Sequence, residues 1–401
     1  MKNINSVSDL AINDTPPAFS EPLHVGRPNI GDRDSFLERV NDIFDSRWFS
    51  NNGPMVQQFE EEIAKHLGVK HCIAMCNGTI ALEIAIRALG LTGEVIVPSY
   101  TFVATAHALQ WQEITPVFAD INPVTHNLDP EAVRRMITPR TTGIVGVHLW
   151  GQPCDIDGLQ TVADEHGLQL MFDAAHAFSC SHEGQMIGNF GRCEIFSFHA
   201  TKFFNSFEGG AIATNDDELA AQIRLMKNFG FAGYDNVIYS GTNGKMTEIC
   251  AAMGLTSLES IEEFMAINKR NYLAYQKGLA EVFGLKLLES ITEERCNYQY
   301  IVVEVSPDFP LKRDEIIQVL LAENILARKY FWPGCHNMEP YKSFYPHAGL
   351  LLTQTEAVAN SVIVMPTGTA MSVENIEVIL KVLQLLSLSK NVETVKELLA
   401  K

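Results

Sequence analysis

One alternation constrains this chain more than any other feature. Apolar runs rich in β-branched residues recur at His71 to Cys76, Glu94 to Pro98, Pro116 to Ile121, Gly143 to Trp150 and Leu168 to Ala174, with helical or turn segments between them. Strands of this kind are covered on both faces, as in parallel sheets flanked by helices. His71 to Cys76 leads into the turn Asn77-Gly78-Thr79 and then into Ile80 to Leu89, a stretch of Ala, Leu, Ile and Glu that reads as helix. Strand, glycine turn and helix open a βαβ unit. The pattern predicts an α/β fold: a mainly parallel central sheet, flanking helices and right-handed crossovers.

The remaining segments extend this frame. Residues 1 to about 30 read as a mobile arm that ends in Val25-Gly26-Arg27-Pro28-Asn29. Phe36, Val40 and Phe44 lie four apart, as do Met55, Phe59, Ile63 and Leu67, so two amphipathic helices follow, the second stopped at Gly68. Residues 193 to 200 and 211 to 214 read as two more strands, Asp216 to Phe229 as a helix, and Phe229 to Gly244 as a long glycine-bearing loop. Thr247 to Lys269 reads as one long helix. Beyond it the composition shifts to a smaller α+β unit: a helix at 270 to 283, strands at Tyr298 to Val305 and 361 to 364, and helices at 313 to 323 and 375 to 387. The expected division is an arm, 1–30, a large domain, 31–265, and a small C-terminal domain, 266–401. A chain of 401 residues is long enough for two or three domains.

Charge narrows the partners. A formal net charge of -18 repels polyanions, which argues against nucleic acid and anionic membrane as ligands. No run approaches the roughly 18 apolar residues of a membrane span, and the polar opening with Pro16-Pro17 lacks an apolar leader, so a cytoplasmic location is expected. The eight cysteines include no Cys-x-x-Cys and read as reduced, mostly buried thiols. His71, Cys72 and Cys76 have no matching second pair, so core packing is favoured over metal binding and no metal is expected.

Three features could carry chemistry. Phe196-Ser197-Phe198-His199-Ala200-Thr201-Lys202, followed by Glu208-Gly209-Gly210, sets a lysine among aromatic and small residues. An amine held in a dry pocket loses its proton near neutral pH and can form a Schiff base; alternatively, Lys202 is a surface lysine beside a core strand. Gly78-Thr79 lies before a helix, where free N–H groups and the helix dipole favour a phosphate, although the same pair also makes an ordinary N-cap. Asp173 ends an apolar strand, at the sheet edge where open α/β sheets bind ligands. Buried there it needs a cation, and a protonated pyridine nitrogen is one; capping the next helix is the other reading. Together, Gly78, Thr79, Asp173, Ser197 and Lys202 contain what a pyridoxal phosphate site requires.

Cys76-Asn77-Gly78-Thr79, Pro98-Ser99-Tyr100-Thr101-Phe102, Asp173-Ala174-Ala175-His176-Ala177, Phe196 to Lys202 and Glu208-Gly209-Gly210 resemble the landmarks of the DegT/DnrJ/EryC1/StrS sugar aminotransferases, which are fold-type I pyridoxal phosphate enzymes. The resemblance runs from about Val25 to the C-terminus. It implies that Lys202 forms the Schiff base with pyridoxal 5'-phosphate and that Asp173 pairs with its ring nitrogen. Phe102 would stack on the ring, with His176 close to it. Gly78, Thr79 and Ser197 would bind the phosphate, and Asn243 would reach in from the other subunit of a homodimer with shared active sites. The family also includes 3-dehydratases with histidine in place of the lysine; the lysine here favours an aminotransferase that uses glutamate as donor and passes through pyridoxamine phosphate.

Tyr330 to Tyr341 and Gly241 to Met246 resemble the segments of family members that aminate C4 of dTDP-4-keto-6-deoxyglucose. The expected product is dTDP-4-amino-4,6-dideoxyglucose, with His336, Tyr341 and Lys245 as sugar-nucleotide contacts and Arg328, Lys329 and Lys245 as candidates for its diphosphate. Alternatives are a C3 aminotransferase, a UDP-sugar 4-aminotransferase, or a non-catalytic cofactor-binding regulator.

Overall fold

Seven apolar segments pair into the central sheet of the computed structural model, which describes every residue except 1, 3, 291, 292 and 401. They are β1 (His71–Met75), β2 (Glu94–Pro98), β3 (Thr115–Ala119), β4 (Thr141–Val147), β5 (Gln169–Asp173), β6 (Glu194–Ser197) and β7 (Gly210–Thr214), in the order β1-β7-β6-β5-β4-β2-β3. Neighbours from β3 through β6 run parallel. β7 runs antiparallel to both β6 and β1. Its composition, Gly-Ala-Ile-Ala-Thr with all five residues buried, matches that of a parallel strand. The direction is set instead by the connection, since the stretch from Phe198 to Gly209 folds back without the crossover helix a parallel partner needs.

This topology fixes where chemistry can occur. β1 is parallel to β6, because each is antiparallel to β7, so β1, β2, β4, β5 and β6 all end at one edge. The turn at Asn77-Gly78-Thr79, Asp173 at the last position of β5, Ser197 at the last position of β6, and the return stretch carrying Lys202 therefore converge there.

Helices α1 (Arg33–Ser46), α2 (Pro54–Leu67), α3 (Gly78–Ala88) and α4 (Ala104–Gln110) precede or interleave with the first strands. α2 buries Val56, Phe59, Ile63 and Leu67, the spacing expected of one face, and ends on Gly68 at φ +67°. α1 behaves differently: Ile43 is its one buried residue, and Phe44 of the anticipated face is 64% exposed. The helix expected over 247–269 is two helices, Glu248–Glu259 and Ile261–Leu279, divided at Ser260, a residue whose side chain competes for backbone hydrogen bonds.

Ile261–Leu279 is shared between two apolar cores. Ile261, Phe264 and Met265 pack with the large sheet. Tyr272, Tyr275 and Leu279 pack with a three-stranded antiparallel sheet of β8 (Leu285–Leu287), β9 (Ile301–Val305) and β10 (Val362–Met365) and the helices Arg313–Ala322 and Val373–Ser387. The opening residues, expected to be mobile, pack on this second core. Ile4, Val7, Leu10, Ala18 and Phe19 are buried in it, and the carboxylate of the fully buried Glu323 accepts N–H groups from Ala11 at 2.5 Å and Ala18 at 2.7 Å. Leu23–His24 then pairs in parallel with Ile325–Leu326. The polar residues between these apolar ones masked the face. No helix among the described residues is long and apolar enough to cross a membrane.

Candidate active site

The strand ends open on a cavity of about 530 Å³, lined from the large sheet by Gly78, Thr79, Asp173, Ser197 and Lys202 among others, and from the small domain by Tyr300, Arg328 and Phe331. One end is a backbone cradle. Asn77 caps α3 by accepting the N–H of Ile80 at 2.8 Å, and the N–H groups at the start of a helix have no acceptor within it. A Cβ on Gly78 would lie 3.0 Å from Cβ of Ser197, and one on Gly210 would lie 2.7 Å from the backbone N of Gly78. At Gly210 the backbone leaves room for hydrogen alone, and at Gly78 a methyl would crowd Ser197. The helix N-terminus, the Thr79 hydroxyl and the Ser197 hydroxyl are thereby gathered as a donor set for a phosphate.

Asp173 lines the same cavity. It is 6% exposed; Oδ2 accepts the Thr105 hydroxyl at 2.8 Å and Oδ1 accepts the Ala175 N–H at 3.1 Å. Burial pushes its pKa up, while these two bonds and the positive charges of Lys202 and His148 oppose the rise. A buried carboxylate with neutral donors needs a cationic partner to stay charged.

Lys202 is half-buried in this cavity, and its Nζ donates to the Tyr300 hydroxyl at 3.2 Å. Burial holds its pKa down at about 8, against a smaller upward pull from Asp173. Its ammonium is easily deprotonated. His176 is buried, with Nδ1 accepting the Trp150 N–H at 3.3 Å. Its ring stacks on Phe331 at 5.8 Å and tilts against Tyr300 at 4.5 Å. Burial, aided by the Lys202 charge, keeps this imidazole well below its usual pKa and therefore neutral. Phe102 lines the cavity and is 60% exposed, an aromatic face open towards whatever enters. A flat ring with a phosphate at one end, a cationic nitrogen at the other and an amine-reactive carbonyl between them suits this donor set, as pyridoxal 5'-phosphate does.

Five of the expected contacts, His336, Tyr341, Lys245, Lys329 and Asn243, are not among the residues lining this cavity, and of these Asn243 is expected to serve the other subunit's site. His336 is buried with its ring between Ser99 Oγ, 2.6 Å from Nδ1, and Glu356, 2.9 Å from Nε2. The Tyr341 hydroxyl is bonded to His107 Nδ1 at 2.8 Å. Within this chain the polar atoms of both side chains have partners. Lys245 lies in a separate pocket with Arg224 and Lys227, its Nζ donating to Asn228 at 3.0 Å. Asn243 is exposed. Conversely, Thr105 and Tyr300 were not anticipated. Thr105 lies 68 residues from Asp173 and Tyr300 98 residues from Lys202, and no local pattern marks either pairing. Among the described residues no group of three His, Cys, Asp or Glu could hold a metal ion.

The profile of the DegT/DnrJ/EryC1/StrS aminotransferase family matches residues 31–384. The dTDP-4-amino-4,6-dideoxy-D-glucose transaminase of Shigella dysenteriae is 36% identical over 366 residues, covering 91% of this chain and 99% of that protein. GDP-perosamine synthase of Caulobacter vibrioides is 38% identical over 328 residues, covering 80% and 86%. The crystal structure of DesI in the presence of its TDP-sugar product superposes with a TM-score of 0.93 at 48% identity, covering 98% of this chain and 99% of DesI.

Proposed function

The chain belongs to the DegT/DnrJ/EryC1/StrS aminotransferase family, and from that premise we propose that it moves an amino group from glutamate to the C4 keto group of dTDP-4-keto-6-deoxyglucose. The products are dTDP-4-amino-4,6-dideoxyglucose and 2-oxoglutarate. The observation that carries the reading is the convergence of Lys202, Asp173 and the Gly78-Thr79-Ser197 cradle on one cavity. The 48% identity to DesI, solved with a TDP-sugar product, supports the choice of substrate.

Pyridoxal 5'-phosphate, when bound, supplies a carbonyl that condenses with amines and a ring that accepts the electrons of a carbanion. Gly78, Thr79 and Ser197 would hold its phosphate. Asp173, kept buried and hydrogen-bonded by Thr105 and Ala175, would hold a proton on the ring nitrogen by supplying the counter-charge. Phe102 and neutral His176 would offer aromatic faces to a flat ring. Lys202 does the proton work: with a pKa of about 8 its Nζ accepts the α proton of glutamate in one half of the reaction and delivers a proton to C4 of the sugar in the other. Tyr300 orients that nitrogen from the small domain.

A homodimer with shared sites fits the surface. Leu37, Phe44, Trp48 and Phe49 are all more than 40% exposed on and after α1. Phe36 of the same helix meets Phe207 of the Lys202-bearing return at 5.5 Å between ring centroids, so this apolar surface adjoins the active-site segment. Asn243, exposed outside its own cavity, is then free to serve the partner's.

The test is incubation of the purified protein with glutamate and dTDP-4-keto-6-deoxyglucose, read by mass and NMR of the product. An amine at C4 is expected. An amine at C3, or turnover only of a UDP- or GDP-linked sugar, overturns the substrate. Retention by Lys202→Ala of the visible absorbance of a covalently linked cofactor overturns the role of Lys202.

A further inference from the structure

Both ligands of the proposed reaction are anions, and a chain with net charge -18 must receive them in a cavity that also contains Asp173 and Glu208. Sequence position offered three cations for this task, and the structure separates them. Lys329 is within 3.4 Å of the Asp314 carboxylate and lies over the Trp332 ring, so its charge is compensated on the spot. Lys245 occupies the pocket with Arg224 and Lys227, apart from the cavity. Arg328 lines the cavity itself, and among the described residues it has no ion pair with a carboxylate.

Its setting is that of a prepared receptor. The backbone of Arg328 is pinned to β10 on both sides, its N–H donating to Val364 O at 3.0 Å and its carbonyl accepting from Val364 N at 2.8 Å. The guanidinium lies over the Tyr330 ring, 5.1 Å from its centroid. Tyr330 is held in turn by a 2.5 Å hydrogen bond from the Tyr100 hydroxyl to its carbonyl. A planar fork stacked on a fixed ring loses little freedom when it takes an oxyanion in bidentate geometry, and without a competing carboxylate its donors are available.

We infer that Arg328 is the oxyanion-binding residue of this cavity, receiving a carboxylate of the amino donor, the diphosphate of the sugar nucleotide, or each in its turn. The inference rests on the proposed aminotransferase reading; among the described residues, Lys202 and Arg328 are the lysine and arginine that line the cavity.

The experiment compares the wild type, Arg328→Gln and Arg328→Lys. The wild type first establishes turnover with glutamate and the dTDP-sugar; if that fails, the functional reading falls and the arms below are run as binding measurements with 2-oxoglutarate and dTDP by calorimetry. In Arg328→Gln, KM or Kd is expected to rise by about tenfold or more for at least one ligand. Arg328→Lys is expected to recover part of the loss. Both variants are expected to keep the visible absorbance of the bound cofactor. A rise confined to glutamate or 2-oxoglutarate assigns the carboxylate, a rise confined to the nucleotide ligand assigns the diphosphate, and a rise in both assigns alternate use. If both constants stay within twofold of wild type in Arg328→Gln, the inference is overturned. If that variant does not fold, the charge-preserving Arg328→Lys decides: loss of the bidentate fork raises at least one constant, and two unchanged constants overturn the inference.

Discussion

Lys202 in the protein stripped of cofactor offers a direct test of the site's electrostatics. Burial lowers its pKa from 10.5 to about 8. At pH 7 an amine of pKa about 8 is roughly one-tenth neutral, whereas one of pKa 10.5 is neutral in about one molecule in three thousand. Only the neutral form attacks a carbonyl, so the cavity raises the reactive population at neutral pH by about 300-fold. The assay is stopped-flow mixing of the apoprotein with pyridoxal 5'-phosphate between pH 6 and 10, following the visible band. The association rate is expected to rise tenfold per pH unit at the acid end and to level off near pH 8. In Asp173→Asn the midpoint should move lower still, because the Asp173 charge pulls the lysine pKa upwards. A midpoint near 10.5 in the wild type would refute the argument that the pocket desolvates this amine. A midpoint that rises in Asp173→Asn would refute the coupling.

Three further outcomes follow from contacts already described. Thr105→Val removes a bond that lowers the Asp173 pKa, so the carboxylate should protonate at higher pH, and the acid limb of the kcat profile should move to higher pH. Gly78→Ala sets a methyl 3.0 Å from Cβ of Ser197, and cofactor binding measured by titration should weaken about tenfold with the far-UV spectrum unchanged. Deleting residues 1–19 exposes the surface covered by Ile4, Val7, Leu10 and Phe19 and removes two N–H partners of Glu323, which should lower stability by about 5 kcal/mol in denaturant titrations.

The fold and the catalytic pole of the site could be read in the sequence because each rests on local pattern. The strands are short uninterrupted apolar runs, Asp173 stands at the end of one of them, and Lys202 lies among aromatic residues five positions after Ser197. Topology then brings these to one edge. What resisted reading was set by long-range geometry. The reversal of β7 depends on the length of a connection that composition does not reveal. Tyr300 enters from beyond the helix Ile261–Leu279, and its neighbours along the chain resemble an ordinary strand. Polar aromatic side chains such as His336 and Tyr341 look the same in sequence whatever they face, so their bonds to Ser99, Glu356 and His107 could not be read there. The packing of the opening residues was hidden by intervening polar side chains, and the break at Ser260 by a period that continues across it.

The helix Ile261–Leu279 gives the cavity a mechanical character. It is rooted in the large core by Ile261, Phe264 and Met265 and in the small core by Tyr272, Tyr275 and Leu279. Asn268 and Asn271 on its midsection bond to the small domain at Asn297 O and Gly368 O, 3.0 and 3.1 Å away. Such a beam holds the floor of the cavity, Asp173 and Lys202, at a set distance from the wall opposite, Tyr300, Arg328 and Phe331. In the proposed reaction a slender dicarboxylic acid and a bulky sugar nucleotide take turns in that one opening.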